Sequence, residues 1–132
     1  MIIGVGIDII DVRRIKKTLD KFGSKFKDRC FSTNEIKYSE RKSNPIYSYA
    51  KRYSAKEACA KALGTGLARG IFWKDIEVKN DQYGKANIIL HGKAMERLKK
   101  ISKDKFDISV SLSDEKNYAI ANVVISNKNE IH

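Results

Sequence analysis

The chain has 132 residues, 42% of them hydrophobic, which is enough for one globular core and too few for two domains. No run approaches the ~18 apolar residues of a membrane span, and the opening Ile2–Ile7 is too short for a secretory h-region, so a cytoplasmic chain is expected. With 27 basic against 16 acidic side chains the formal charge is +11, which calls for an acidic or polyanionic partner without choosing among nucleic acid, nucleotide phosphates and an acidic protein.

Along the chain, Ile2–Asp8 alternates, with Ile3, Val5 and Ile7 on one face and Gly4, Gly6 and Asp8 on the other. This predicts a strand ending at Asp8, whose bare glycine face lets a neighbouring backbone come close. Asp11 predicts the cap of a helix with the apolar stripe Ile15, Leu19 and Phe22. Its other faces carry Arg13, Arg14, Lys16, Lys17 and Lys21, either a plain solvated face or a docking surface. Ser32-x-x-Glu35 is a capping box for a short helix. Asn44-Pro45 predicts the start of a long helix running to about Leu63, where Gly64 stops it and Gly64-Thr65-Gly66 forms a tight turn.

Asp75–Asn80 and Ala86–Leu90 read as strands joined by a loop containing Tyr83-Gly84. His91–Ser102 has helical spacing, and Ile108–Ser113 and Tyr118–Ser126 read as strands around a turn at Asp114–Asn117. The order β-α-α-α-β-β-α-β-β predicts a single α+β domain over residues 1–126, an antiparallel sheet packed on the long central helix. The polar tail 127–132 is expected to fray. Cys30 and Cys59 show no framework spacing and read as reduced thiols, Cys59 in the core.

The chemistry concentrates in Arg52–Lys61 of the long helix. Tyr53, Glu57 and Lys61 recur at steps of four and stack along one face. Their neighbours Ala55, Ala58, Cys59, Ala60 and Ala62 are small enough to admit another segment. Asp8 can bring a second carboxylate to that face. Two carboxylates and a lysine at one point suit a divalent cation on a phosphorylated substrate, since hard cations take oxygen ligands and lysine neutralises phosphate. Each residue alone has a plainer reading: Glu-x-x-x-Lys is ordinarily a solvated ion pair, and a strand-end Asp a cap.

Together, Gly4-Val-Gly-Ile-Asp8-Ile-Ile and Ala50-Lys-Arg-Tyr-Ser-Ala-Lys-Glu-Ala-Cys-Ala-Lys-Ala-Leu-Gly-Thr-Gly66 closely resemble the holo-[acyl-carrier-protein] synthases, the short prokaryotic 4′-phosphopantetheinyl transferases. The likeness continues through Asp75–Lys85 and Ile108–Ile125. It implies the fold of that family and transfer of the phosphopantetheine arm of coenzyme A to a serine of apo acyl carrier protein, releasing adenosine 3′,5′-bisphosphate, in fatty acid biosynthesis. It also implies Mg²⁺ on Asp8 and Glu57, with Lys61 as the third catalytic residue on the phosphates. Coenzyme A contacts are implied for Arg52, Lys61, Gly64, Thr65, Gly66 and Ser109, an ordinary surface role being the alternative for Arg52. The proton acceptor is left between Glu57 and a metal-bound water.

The resemblance further implies a homotrimer with a site at each interface, and carrier-protein docking on Arg14, Lys17 and Lys21. The sequence departs from the pattern in three places. Ile10 stands where larger relatives have another acidic residue, Ser109 where many members have a histidine, and Tyr53 where phenylalanine is usual. His91 and His132 are read as structural or solvent-facing. A small basic RNA-binding domain is the non-enzyme rival, but its strands would offer aromatic side chains, and these offer Ile, Val and Ala. A metal-dependent phosphohydrolase would want more acidic or histidine ligands. Neither a nucleic-acid nor a membrane partner is expected, and coenzyme A binding separates the three readings.

Overall fold

Strand β1 (Ile2–Asp11) runs past the expected end at Asp8, because strand β5 (Tyr118–Asn127) pairs with it antiparallel as far as Asp11 opposite Tyr118. Asp8 therefore lies inside the strand, opposite Ala121. The computed structural model describes residues 1–68, 70–103 and 105–128. Helix α1 (Val12–Phe22) starts where Asp11 accepts a hydrogen bond from the Arg13 N–H at 2.9 Å, as the cap signal predicts. It stops at Gly23, whose φ of +52° suits glycine and whose N–H bonds to Leu19 O.

A helix absent from the sequence reading follows, α2 (Ser24–Cys30). Seven residues are too few for periodicity to declare, and its place is set by packing: the Phe26 ring lies 6.0 Å from that of Tyr53 in the long helix. Helix α3 (Thr33–Glu40) has the full Ser32/Glu35 capping box. Helix α4 (Pro45–Ala62) has proline in its first turn, and Gly64 follows with φ +81°.

Strands β2 (Ile76–Asn80) and β3 (Ala86–Leu90) form a hairpin, then come helix α5 (Gly92–Ile101), strand β4 (Phe106–Glu115) and β5. Four helices thus stand between β1 and β2 rather than three. The α+β class holds, but the strands make two ladders, a three-stranded sheet ordered β1-β5-β4 and the separate β2–β3 pair. The Asn127 N–H donates to Met1 O at 2.9 Å, so β5 extends into the expected tail; residues 129–132, including His132, lie outside the described part.

Helix α4 lies on the inner face of the sheet and is buried nearly all round, through Ala50, Ala55, Ala58, Cys59, Ala60 and Ala62. Gly4 and Gly6 face it directly. A Cβ on Gly4 would stand 2.0 Å from Ala62 O, and one on Gly6 1.8 Å from Ala58 O, so strand and helix touch backbone to backbone. The inward face of β1 is thus its glycine face, and Val5, Ile7 and Ile9 are left outside at 57–61% exposure. Tyr118 and Ile120 of β5 extend this open apolar face. Both cysteines are free and buried, and burial pushes their thiols up to about 11 for Cys30 and about 12 for Cys59.

Candidate active site

The close contact of β1 with α4 brings Asp8 to Glu57 and Lys61. Ser54, one turn earlier on α4, donates from Oγ to Asp8 O at 2.9 Å and ties the helix to the strand. Lys61 Nζ donates to Asp8 Oδ1 at 3.1 Å and to Ile7 O at 3.0 Å. The Asp8 side chain keeps 17% of its exposure while that of Lys61 is half exposed. Burial raises the pKa of Glu57, the Asp8 charge raises it further, and Lys61 opposes both. Two carboxylates against one half-solvated ammonium form a site with room for more positive charge. Among the described residues no three His, Cys, Asp or Glu side chains gather as a metal cluster. A pair of carboxylates fits Mg²⁺, which commonly takes one or two and fills its octahedron with water and phosphate oxygens.

Arg52 is not at that point. It lies five residues before Glu57, ~7.5 Å along the axis and ~140° around it. At 2% exposure it also contradicts the surface role offered as an alternative. Its Nη1 donates to Ser48 Oγ at 3.2 Å, its Nη2 to Asn80 Oδ1, and its guanidinium lies 4.3 Å from the Tyr38 ring centre. Burial lowers its pKa, and Nε finds no partner among the described residues. Arg52 lines a cavity of about 550 Å³ with Tyr38, Lys42, Lys51 and Lys85, closed on one side by Val110 and Leu112 of β4.

Ser109 is also on β4. It pairs with Val124, itself opposite Val5, so it shares the outward face with Val5 and not the inward face with Asp8. Because β1 and β4 are opposite edges of the sheet, the expected site residues fall into two groups within one chain. Asp8, Glu57 and Lys61 lie at the β1 edge, and Arg52 and Ser109 at the β4 side. Gly64-Thr65-Gly66 begins three residues after Lys61, with φ of +81° and +61° at its glycines. Arg97 of α5 braces this turn, donating from Nε to Leu63 O at 2.9 Å.

Arg14, Lys17 and Lys21 are exposed on α1. Beside them is an apolar cavity of about 400 Å³ formed by Phe22, Phe26, Tyr53 and Trp73 and flanked by Lys25 and Arg29. The Tyr53 and Trp73 rings stack at 4.4 Å, and Tyr53 is one turn from Glu57. The cavity therefore adjoins the carboxylate site.

A profile of the 4′-phosphopantetheinyl transferase superfamily matches residues 4–123. The chain belongs to this superfamily. A curated relative, the holo-[acyl-carrier-protein] synthase of Parvibaculum lavamentivorans, is 48% identical over 128 residues, covering 96% of each chain. The crystal structure of the holo-[acyl-carrier-protein] synthase from Neisseria meningitidis superposes with a TM-score of 0.84 at 34% identity, covering 96% of this chain and all of that one. The synthase from Bacillus anthracis, solved in complex with CoA (3′,5′-ADP), gives 0.79 at 35% identity over 97% of this chain and 99% of its own. For this phosphopantetheinyl transferase, sequence reasoning missed Trp73 and the cationic lining Lys42, Lys51 and Lys85. No periodicity ties these residues to the motif, and only the fold gathers them. It also missed the buried pair Glu35–Lys56, although the capping box had already singled out Glu35.

Proposed function

We propose that the chain transfers the 4′-phosphopantetheine arm of coenzyme A to a serine of apo acyl carrier protein and releases adenosine 3′,5′-bisphosphate, the holo carrier then serving fatty acid biosynthesis. The observation that carries this is the convergence of Asp8, Glu57 and Lys61 across the backbone contact of β1 with α4. The synthase names borne by relatives of near full length support it.

Asp8 and Glu57 are the residues that would hold Mg²⁺, which when bound neutralises pyrophosphate charge and so exposes phosphorus to an alcohol. Lys61 adds a positive charge for the same oxygens. The serine oxygen forms a bond to the phosphorus bearing the pantetheine arm, and the bond from that phosphorus to the bridging oxygen breaks. The electron pair leaves on the bisphosphate. Glu57 is a candidate to accept the serine proton. The cavity with Arg52, Lys42, Lys51 and Lys85 suits the phosphates of the nucleotide half of coenzyme A. Ser109, on the outward face of β4, does not line that cavity, and within one chain it offers no contact there.

The two groups at opposite sheet edges support a ring of identical chains, each lending its β4 side to the next chain's Asp8–Glu57 side. Such a head-to-tail interface closes by rotation and covers the open face of Val5, Ile7 and Ile9. A homotrimer is the proposed closure. The acidic carrier protein docks on Arg14, Lys17 and Lys21, with the adjoining apolar cavity available to one of its side chains. The free thiols agree with the cytoplasm as the place of action.

Intact mass spectrometry of apo acyl carrier protein incubated with this chain, coenzyme A and Mg²⁺ tests the reading. The expected result is a gain of one phosphopantetheine arm, lost with EDTA and with Glu57→Gln. An unmodified carrier, together with no binding of coenzyme A, overturns it.

A further inference from the structure

The residue just before Glu57 is a lysine that solvent does not reach: Lys56 and its partner Glu35 both have 0% side-chain exposure. Lys56 Nζ donates to Glu35 Oε1 at 2.8 Å, to Trp73 O at 2.9 Å and to Ile76 O, which uses all three ammonium protons. Glu35 in turn accepts from the Ser32 N–H at 2.9 Å and the Val78 N–H at 3.1 Å. The pair therefore joins α4 to the start of α3, to the 3-10 turn Trp73–Asp75 and to β2. A buried ion pair is weak evidence for stability, because apolar replacements of similar volume are often neutral or stabilising. Its product is more naturally geometric.

Helix α4 needs such a device. Its contact with β1 is made by Ala58 and Ala62 against bare glycines, and it offers no side-chain knob. A smooth contact of that kind sets the distance between helix and strand but leaves rotation about the helix axis to other groups. Ser54 tethers one side of the helix to Asp8 O, and Lys56 tethers the side facing α3 and β2. Successive residues are ~100° apart, so holding Lys56 in one direction holds Glu57 in another.

We infer that Lys56, through Glu35, is a positioning residue that locks the rotation of α4 so that Glu57 faces Asp8. The inference rests on the reading of Glu57 as a metal ligand in the transfer reaction.

The test combines Lys56→Met with Glu35→Gln, which removes both charges and leaves an amide oxygen for one of the two N–H groups, that of Ser32 or that of Val78. Three quantities are followed: thermal unfolding, Mn²⁺ binding by electron paramagnetic resonance without coenzyme A, and steady-state transfer. The double variant is expected to fold, to lose about 10²-fold in kcat, as a displacement of ~1 Å at a reacting centre can cause, and to bind Mn²⁺ at least ~10-fold more weakly. The KM for carrier protein should stay put, since the α1 surface is untouched. A folded double variant with the kcat and Mn²⁺ affinity of the unaltered chain overturns the inference. Should the double variant not fold, Glu35→Gln alone decides: with Lys56 left buried beside a neutral amide, a lowered Tm and smaller losses in both quantities are expected below that Tm, and normal values of both overturn it. Glu57→Gln separates the two layers. If it stays active and binds Mn²⁺ normally, the metal assignment fails and the positioning role falls with it. If it is inactive while the Lys56 variants behave normally, only the positioning role falls.

Discussion

Replacing Gly6 by alanine puts one methyl group into the narrowest contact in the molecule. Its Cβ would lie 1.8 Å from Ala58 O, 2.8 Å from Ala58 C and 2.9 Å from Ala62 N, all backbone atoms that cannot rotate aside. Reaching the 3.4 Å at which ordinary contact begins requires β1 and α4 to separate by about 1.6 Å. Asp8 sits on one of these elements, Glu57 and Lys61 on the other, so the carboxylates move apart with the backbone. Overpacking of this kind costs about 1–3 kcal/mol, and a shift above 1 Å between catalytic groups costs roughly 10² in rate. Gly6→Ala should therefore fold with a lowered Tm and transfer phosphopantetheine about 10²-fold more slowly by mass spectrometry. Gly84→Ala serves as the comparison: its φ is +86° but nothing lies within 4 Å of the added Cβ, so it tests backbone strain away from the site. Full activity of Gly6→Ala at an unchanged Tm would refute the claim that backbone contact sets the spacing of the site.

In the metal-free protein, the Glu57 carboxyl followed by ¹³C NMR should titrate above the 4.5 of an ordinary glutamate, and Asp8→Asn should lower its midpoint; a midpoint at or below 4.5 removes the electrostatic account. The Asp11 carboxyl is held down at about 2, chiefly by the side-chain hydrogen bond from Arg13. Because its pKa is depressed on folding, its contribution is complete above the unfolded value near 3.8 and is lost as pH falls toward about 2. Asp11→Asn should flatten that part of the Tm–pH curve, and an unaltered acid limb would show that the cap is not linked to stability. Reversing charge at Arg14 and Lys21 should raise the KM for carrier protein about tenfold at low salt without moving that for coenzyme A; an unchanged KM would exclude α1 as the docking face. Chains carrying Glu57→Gln and chains carrying Arg52→Gln, each nearly inactive alone, should regain about a quarter of full activity when mixed as equal parts and allowed to exchange subunits, because about one interface in four then unites two intact halves. No regain despite exchange would mean that each chain builds its site by itself.

What was legible in the sequence is what local chemistry dictates. Asp11, the Ser32/Glu35 box and Gly64 mark helix ends through bonds to backbone a few residues away, and each stands where expected. The Tyr53–Glu57–Lys61 face follows from the helical period alone. Glu35 shows where this legibility ends: its capping bond spans three residues and was visible, while its bond to Lys56 spans 21 and was not. Nor could alternation tell which face of β1 turns inward. The usual inference buries the apolar side, but Gly4 and Gly6 admit the helix backbone and leave Val5, Ile7 and Ile9 outside. The division of Arg52 and Ser109 from Asp8 depends on β5 entering between β1 and β4, and the strand order of a sheet is not written in its strands.

These features belong to one physical arrangement. A carboxylate on a strand and a carboxylate on a helix meet closely only if the elements approach more nearly than side chains allow, which requires glycine on the strand and alanine on the helix. Stripping that contact of side chains leaves the rotation of the helix to its other faces, where packing and directional bonds hold it. Ser54 and the buried Lys56–Glu35 pair are such bonds, placed three and one residues before Glu57. The glycine face also leaves the aliphatic side of β1 without a partner among the described residues, so the packing that brings Asp8 to Glu57 also leaves open the surface that the proposed ring of chains would cover.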